Sequence, residues 1–194
     1  MAEWQLLLLA GSTAAGKSTS GTEVARRLGI ACVSADAVWK ALERATTPET
    51  HPAFHYFEPP PDVMAQGPDH LLKLHIEAAE AMTGALEAFI DWELIEGHRF
   101  VFEGAWITPE SAARRCASER ERAVFIDEPV EQEILASMLQ RSKRTEPLPR
   151  QLTISAMAWR YGNWLREQTT RLGLPSVLAQ PRQTLVDRII AAAG

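Results

Sequence analysis

Residues 6–19, LLLLAGSTAAGKST, constrain this chain more than any other stretch. Leu6, Leu7, Leu8 and Leu9 form a short apolar run that reads as a strand. Gly11 and Gly16 then bracket Ser12, Thr13, Ala14 and Ala15, and Lys17, Ser18 and Thr19 follow as a helical pattern begins. This is the spacing G-x-x-x-x-G-K-[ST] in a strand–loop–helix context. Small residues let the backbone N–H groups turn inward around an anion, and the helix start adds the positive end of its dipole. In such a loop the lysine reaches the outer phosphates and the following hydroxyl ligates Mg²⁺. The stretch therefore predicts a nucleotide-phosphate site built from Gly11, Ser12, Thr13, Ala14, Ala15, Gly16, Lys17, Ser18 and Thr19.

The rest of the chain extends that unit. A strand over 4–10, a helix over 17–28 closed by Gly29, and a short, buried strand over 30–34 predict a parallel α/β sheet with right-handed crossovers. Ligands collect at the carboxyl ends of such strands, which puts Asp36 and the Gly11 loop on one edge. Prolines at 48, 52, 59, 60, 61 and 68 break the pattern, while His51, Phe54, His55, Tyr56 and Phe57 make that segment aromatic, as suits an ordered substrate loop.

A long helix is expected over 69–96, with His75 on its apolar face as a satisfied core histidine. Further strands are expected over 99–103, ending at Glu103, and over 122–127, ending at Asp127. Thr108 should cap the helix that Pro109 opens. Arg141, Ser142, Lys143 and Arg144 lie on a Pro-bearing connection, 141–150, placed to fold over bound phosphates. A helix over 151–172, a fifth strand over 175–179 and a last helix with Thr184 and Asp187 as a capping pair complete the order. The whole, 1–194, reads as one domain with a substrate-binding insertion at 46–96 and a lid at 141–150.

A net charge of −5 gives no electrostatic footprint for nucleic acid. No stretch is long and apolar enough to span a membrane, and a cytoplasmic location is expected. Cys32 and Cys116 lack metal or disulfide spacing, and Cys32 reads as a small buried hydrophobe.

Taken together, GSTAAGKST, VSAD (33–36), FEGAW (102–106), IDEPVEQEIL followed by RSKR, and YGNWLREQTTRLGLPSV resemble a known set. They are similar to the P-loop kinases that include shikimate, gluconate and nucleoside monophosphate kinases, and most resemble 2-phosphoglycerate kinase-like proteins. The resemblance implies a three-layer P-loop NTPase fold with about five parallel strands. It also implies transfer of the ATP γ-phosphoryl group to a small-molecule hydroxyl or a phosphorylated acid, with ATP and Mg²⁺ required. Lys17 and Ser18 then serve the donor, and Arg141 and Arg144 stabilise the equatorial oxygens. Asp36 orients or deprotonates the acceptor, and Arg182 stacks on adenine. Glu103 is the expected acid beside the metal, with Asp127 as its rival. Lys40, Arg44, His51 and His55 are within sequence reach of an anionic acceptor. Two other readings stay open: an ATPase or nucleotide-gated switch without an acceptor, and a nucleotide-binding module that docks partners through exposed aromatics at 54–57 and Trp106.

Overall fold

The computed structural model describes residues 4–57, 65–141 and 147–194. Its centre is a five-stranded sheet in the order β2–β3–β1–β4–β5, with every pairing parallel. The strands are β1 (Leu6–Gly11), β2 (Ala31–Ser34), β3 (Phe100–Gly104), β4 (Glu121–Asp127) and β5 (Ser176–Leu178). The helices are α1 (Lys17–Leu28), α2 (Ala35–Ala45), α3 (Gly67–Ile95), α4 (Pro109–Arg115), α5 (Glu131–Arg141), α6 (Leu148–Leu172) and α7 (Leu185–Ala193).

The leucine run becomes the middle strand because it can be buried on both faces. Leu6 and Leu8 pack with Phe100, Phe102 and Phe125 against α3, α4 and α6. Leu7 and Leu9 pack with Val101, Val124 and Ile126 against α1 and α7 on the other face. The three-layer α/β architecture expected from the sequence is thus present.

Three expectations need correction. The second strand is not buried: β2 is an edge strand paired only with β3, and its residues are half-buried or exposed. Cys32, on that strand, is accordingly only half-buried. Thr184 makes no side-chain capping bond to α7, and Asp187 instead pairs with Arg27 of α1 at 2.5 Å. Thr108 does cap α4, its hydroxyl accepting from the Ser111 N–H at 3.3 Å.

Two close approaches set the geometry of the ligand edge. A Cβ on Gly11 would lie 2.6 Å from the Ile126 carbonyl oxygen, so only glycine lets β1 turn there beside β4. A Cβ on Gly104 would lie 2.6 Å from the Ala35 Cβ, so the end of β3 and the start of α2 touch. That second approach brings Glu103 and Asp36, which are 67 residues apart in sequence (103 − 36), to the same edge.

Candidate active site

The loop between β1 and α1 has the backbone needed for a phosphate cradle. Gly11, Ala14 and Gly16 take positive φ, and among the described residues Ala14 is the one non-glycine to do so, at +64°. Lys17, 7% exposed, donates from Nζ to the Ser12 carbonyl oxygen at 2.8 Å. Burial pulls its ammonium down to about 8, and Arg141 pulls the same way, while Glu103 and Asp36 oppose the shift. The Ser12 hydroxyl is buried beneath Gly162 of α6 and has no hydrogen-bond partner among the described residues.

Glu103 stands at the end of β3, in register with Leu9 of β1 and Ser34 of β2, and is 4% exposed. Its Oε2 accepts from the Ser18 hydroxyl at 3.1 Å. Asp127 lies elsewhere: both its oxygens bind the Arg166 guanidinium, at 2.7 and 2.8 Å. The structure therefore puts Glu103, not Asp127, against the loop serine. A hydroxyl and one carboxylate are hard oxygen donors, the kind Mg²⁺ uses when phosphates complete its shell. Among the described residues no group of three or more His, Cys, Asp or Glu could hold a metal alone.

Asp36 occupies the first turn of α2, whose N-cap is Ser34, not Asp36 itself. Its Oδ1 accepts from the Trp106 indole N–H at 2.8 Å, which fixes the carboxylate. Its Oδ2 has no hydrogen bond among the described residues. Asp36, Glu103, Lys17 and Ser18 line one cavity of about 240 Å³ together with Trp106 and His75. Thr13 also reaches it.

A second cavity, of about 360 Å³, opens on the other side of the loop, lined by Gly16, Thr19, Ser137, Gln140 and Arg182. Ala14 and Arg141 line both cavities. Arg182 does not lie free over this space. It donates to the Ala15 carbonyl oxygen and to Glu128, which is buried. Arg144 and most of the basic connection (142–146) lie outside the described residues.

Other sequence expectations shift here. His75 is buried, but it is only half satisfied: Nδ1 meets the Tyr56 hydroxyl at 2.5 Å, whereas Nε2 has no partner among the described residues. Burial, with the Lys17 charge, holds its pKa down at about 3, so the ring is neutral. The aromatics of 54–57 and Trp106 do not form an exposed docking surface. Phe54, Tyr56 and Trp106 are 7%, 7% and 3% exposed and join the core beneath the cavity. Glu128 escaped sequence reasoning, because its partner Arg182 is 54 positions away and no motif links them.

The fold and this glycine loop resemble those of P-loop kinases. No family model matches the chain. It is 24% identical to the 2-phosphoglycerate kinase of Methanothermobacter thermautotrophicus over 200 aligned residues, covering 95% of this chain and 64% of that protein. It is 32% identical to the 2-phosphoglycerate kinase of Pyrococcus horikoshii over 108 residues, 54% of this chain and 36% of that protein. The chain thus spans less than two thirds of the length of these relatives. Among solved structures, shikimate kinase from Bacteroides thetaiotaomicron superposes with a TM-score of 0.55 at 13% identity, covering 96% of this chain and 94% of that one. The likeness to P-loop kinases expected from the motifs is therefore found in both sequence and fold.

Proposed function

We propose that the chain is an ATP-dependent phosphotransferase acting on a small molecule. The observation that carries this reading is the convergence of the glycine loop and a fixed carboxylate on one cavity. Lys17, Ser18 and Glu103 line it together with Asp36, beside a partly aromatic wall.

In this reading the loop amides and Lys17 hold the β- and γ-phosphates. The nucleoside lies in the larger cavity beside Thr19, Gln140 and Arg182. Arg182 braces the loop through the Ala15 carbonyl oxygen while offering its guanidinium face to the base. Ser18 and Glu103 would hold Mg²⁺, which neutralises charge on the phosphate oxygens. Asp36 Oδ2 accepts the proton of an acceptor hydroxyl, with Oδ1 locked by Trp106 so that the lone pair stays aimed. The acceptor oxygen then bonds to the γ-phosphorus as the bond from that phosphorus to the ADP oxygen breaks. Arg141, which reaches both cavities, and Arg144 from the lid stabilise the charge on the transferring group.

A cytoplasmic location suits this reading, because ATP and Mg²⁺ are supplied there. Among the described residues no helix is long and apolar enough to cross a membrane. The net charge of −5 argues against a nucleic-acid acceptor.

The test separates the two halves of the site. Asp36→Asn should retain Mg·ATP binding by calorimetry and lose phosphoryl transfer by at least about 100-fold, the usual contribution of a positioned base. Normal transfer in the folded variant would remove Asp36 from the reaction.

A further inference from the structure

Resting on that phosphotransferase reading, we propose that the acceptor is an uncharged ring-bearing alcohol, of the monosaccharide or nucleoside kind, and not a phosphorylated acid. It would stack on the aromatic wall formed by Trp39, Phe57 and Trp106. One hydroxyl would sit on Asp36, and an oxygen would accept from His75.

Charge comes first. Among the described residues the cations lining the acceptor cavity are Lys17 and Arg141, and in the phosphotransferase reading both also serve the nucleotide phosphates. Two carboxylates, Asp36 and Glu103, line the same space. A phosphorylated acid would bring three or so negative charges to a cavity whose cations are already engaged. The basic residues within sequence reach of Asp36 do not help. Lys40 pairs with Glu43 at 2.5 Å and lies 4.0 Å from the Trp39 ring centre, Arg44 is exposed, and His51 is exposed and stacked on Phe54. None of them, nor His55, lines the cavity.

The walls say what does fit. The Trp39 and Trp106 ring centres are 5.0 Å apart, and Trp106 and His75 are 4.8 Å apart, which makes a continuous aromatic surface. The Trp39 indole N–H is held by the Phe54 carbonyl at 3.1 Å, so the ring is fixed in place. Flat apolar surface beside a carboxylate suits a molecule with one C–H or π face and hydroxyls at its rim. A cavity of about 240 Å³ suits a small acceptor.

His75 supplies the specific contact. Among the described residues its Nδ1 is the hydrogen-bond partner of the Tyr56 hydroxyl. If Nδ1 carried the proton, the buried Tyr56 O–H would have no acceptor. Tyr56 therefore donates to Nδ1, and the neutral ring carries its own proton on Nε2. That N–H is buried, unpartnered, and part of a ring that lines the cavity. No described protein group takes it, which leaves it for an acceptor atom of the ligand.

The experiment uses the full chain. Mg·ATP binding is first measured by calorimetry. ADP release is then followed with D-ribose, D-glucose, adenosine and uridine, and with 2- and 3-phosphoglycerate. Saturable stimulation by a neutral ring alcohol, and none by the phosphoglycerates, is expected; the sugars and nucleosides separate the two sources of such a ring. Trp39→Leu and His75→Phe should each raise the KM of that acceptor about tenfold with Mg·ATP affinity retained. Stimulation by a phosphoglycerate, or by nothing in the panel while Mg·ATP binds, overturns the acceptor assignment and leaves the nucleotide site standing. An unchanged KM in both folded variants also overturns it. Absent Mg·ATP binding overturns the phosphotransferase reading, and the acceptor assignment goes with it.

Discussion

Lys17 is a buried cation whose nearest partner is a neutral carbonyl, and that sets its behaviour with pH. Its folded pKa of about 8 lies below the ordinary lysine value of 10.5. Below pH 8 the ammonium is charged and ready for phosphates; above it the free protein holds a neutral amine. Mg·ATP affinity should therefore be flat from pH 6 to 7.5 and weaken as pH rises through about 8, with a proton taken up on binding near pH 8.5. Titrations in buffers of different ionisation enthalpy measure that proton, and its absence would contradict the burial of Lys17. Stability runs the other way, because the unfolded lysine binds its proton up to 10.5 and the folded one does not, so Lys17 favours folding more as pH rises from 8 to 10.5. At this scale the loop was legible, because four of its positions, Gly11, Gly16, Lys17 and Ser18, are fixed by spacing over residues 11–18. Arg182 was only half legible. Its contact with the Ala15 carbonyl spans 167 positions, and no local pattern foretells it. His75 was misread as satisfied because the helical stripe reports burial, not hydrogen bonding.

Elements place those residues through close packing more than through caps. The β3 end and the α2 start touch at Gly104 and Ala35, and this contact holds Glu103 and Asp36 on one edge. Gly104→Ala should force the two apart, at a cost of about 1–3 kcal/mol. It should lower the melting temperature and depress phosphoryl transfer more than Mg·ATP binding. A variant as stable and active as the parent would show that the approach carries no weight. The helices and strands themselves were readable from periodicity and Gly/Pro punctuation, and α1 ends where Gly29 takes φ +66°. Strand order was not readable. β2 looked like an inner strand because its short apolar sequence carries no sign of having one neighbour or two. Thr184 and Asp187 had the spacing of a capping pair, yet Arg27 on α1 offers Asp187 a full charge, and the tertiary ion pair prevails.

For the whole molecule, two cavities meet at Ala14 and Arg141, and the proposed reaction would pass the phosphoryl group from one to the other. Arg141 ends α5 at the boundary between them and is itself exposed, so its removal should leave folding intact. Arg141→Ala should cut acceptor-dependent turnover by about tenfold or more while the melting temperature stays put. Without acceptor, the parent should release ADP only slowly; fast release with no acceptor present would favour the ATPase reading over the kinase. The fold class and the ligand edge were legible at this scale because a parallel sheet concentrates ligands where its strands end. The acceptor was not, since its cavity is assembled from α2, the aromatic segment before α3, α3 itself and the turn after β3, which only folding brings together.

The central claim is that the backbone amides of residues 11–18 enclose the phosphates of a nucleotide. Isothermal calorimetry of the folded chain with ATP in excess Mg²⁺ tests it most directly. The account predicts saturable heat with one nucleotide per chain, strongly weakened by Lys17→Ala. No heat from the folded parent, or identical binding by the variant, would contradict it.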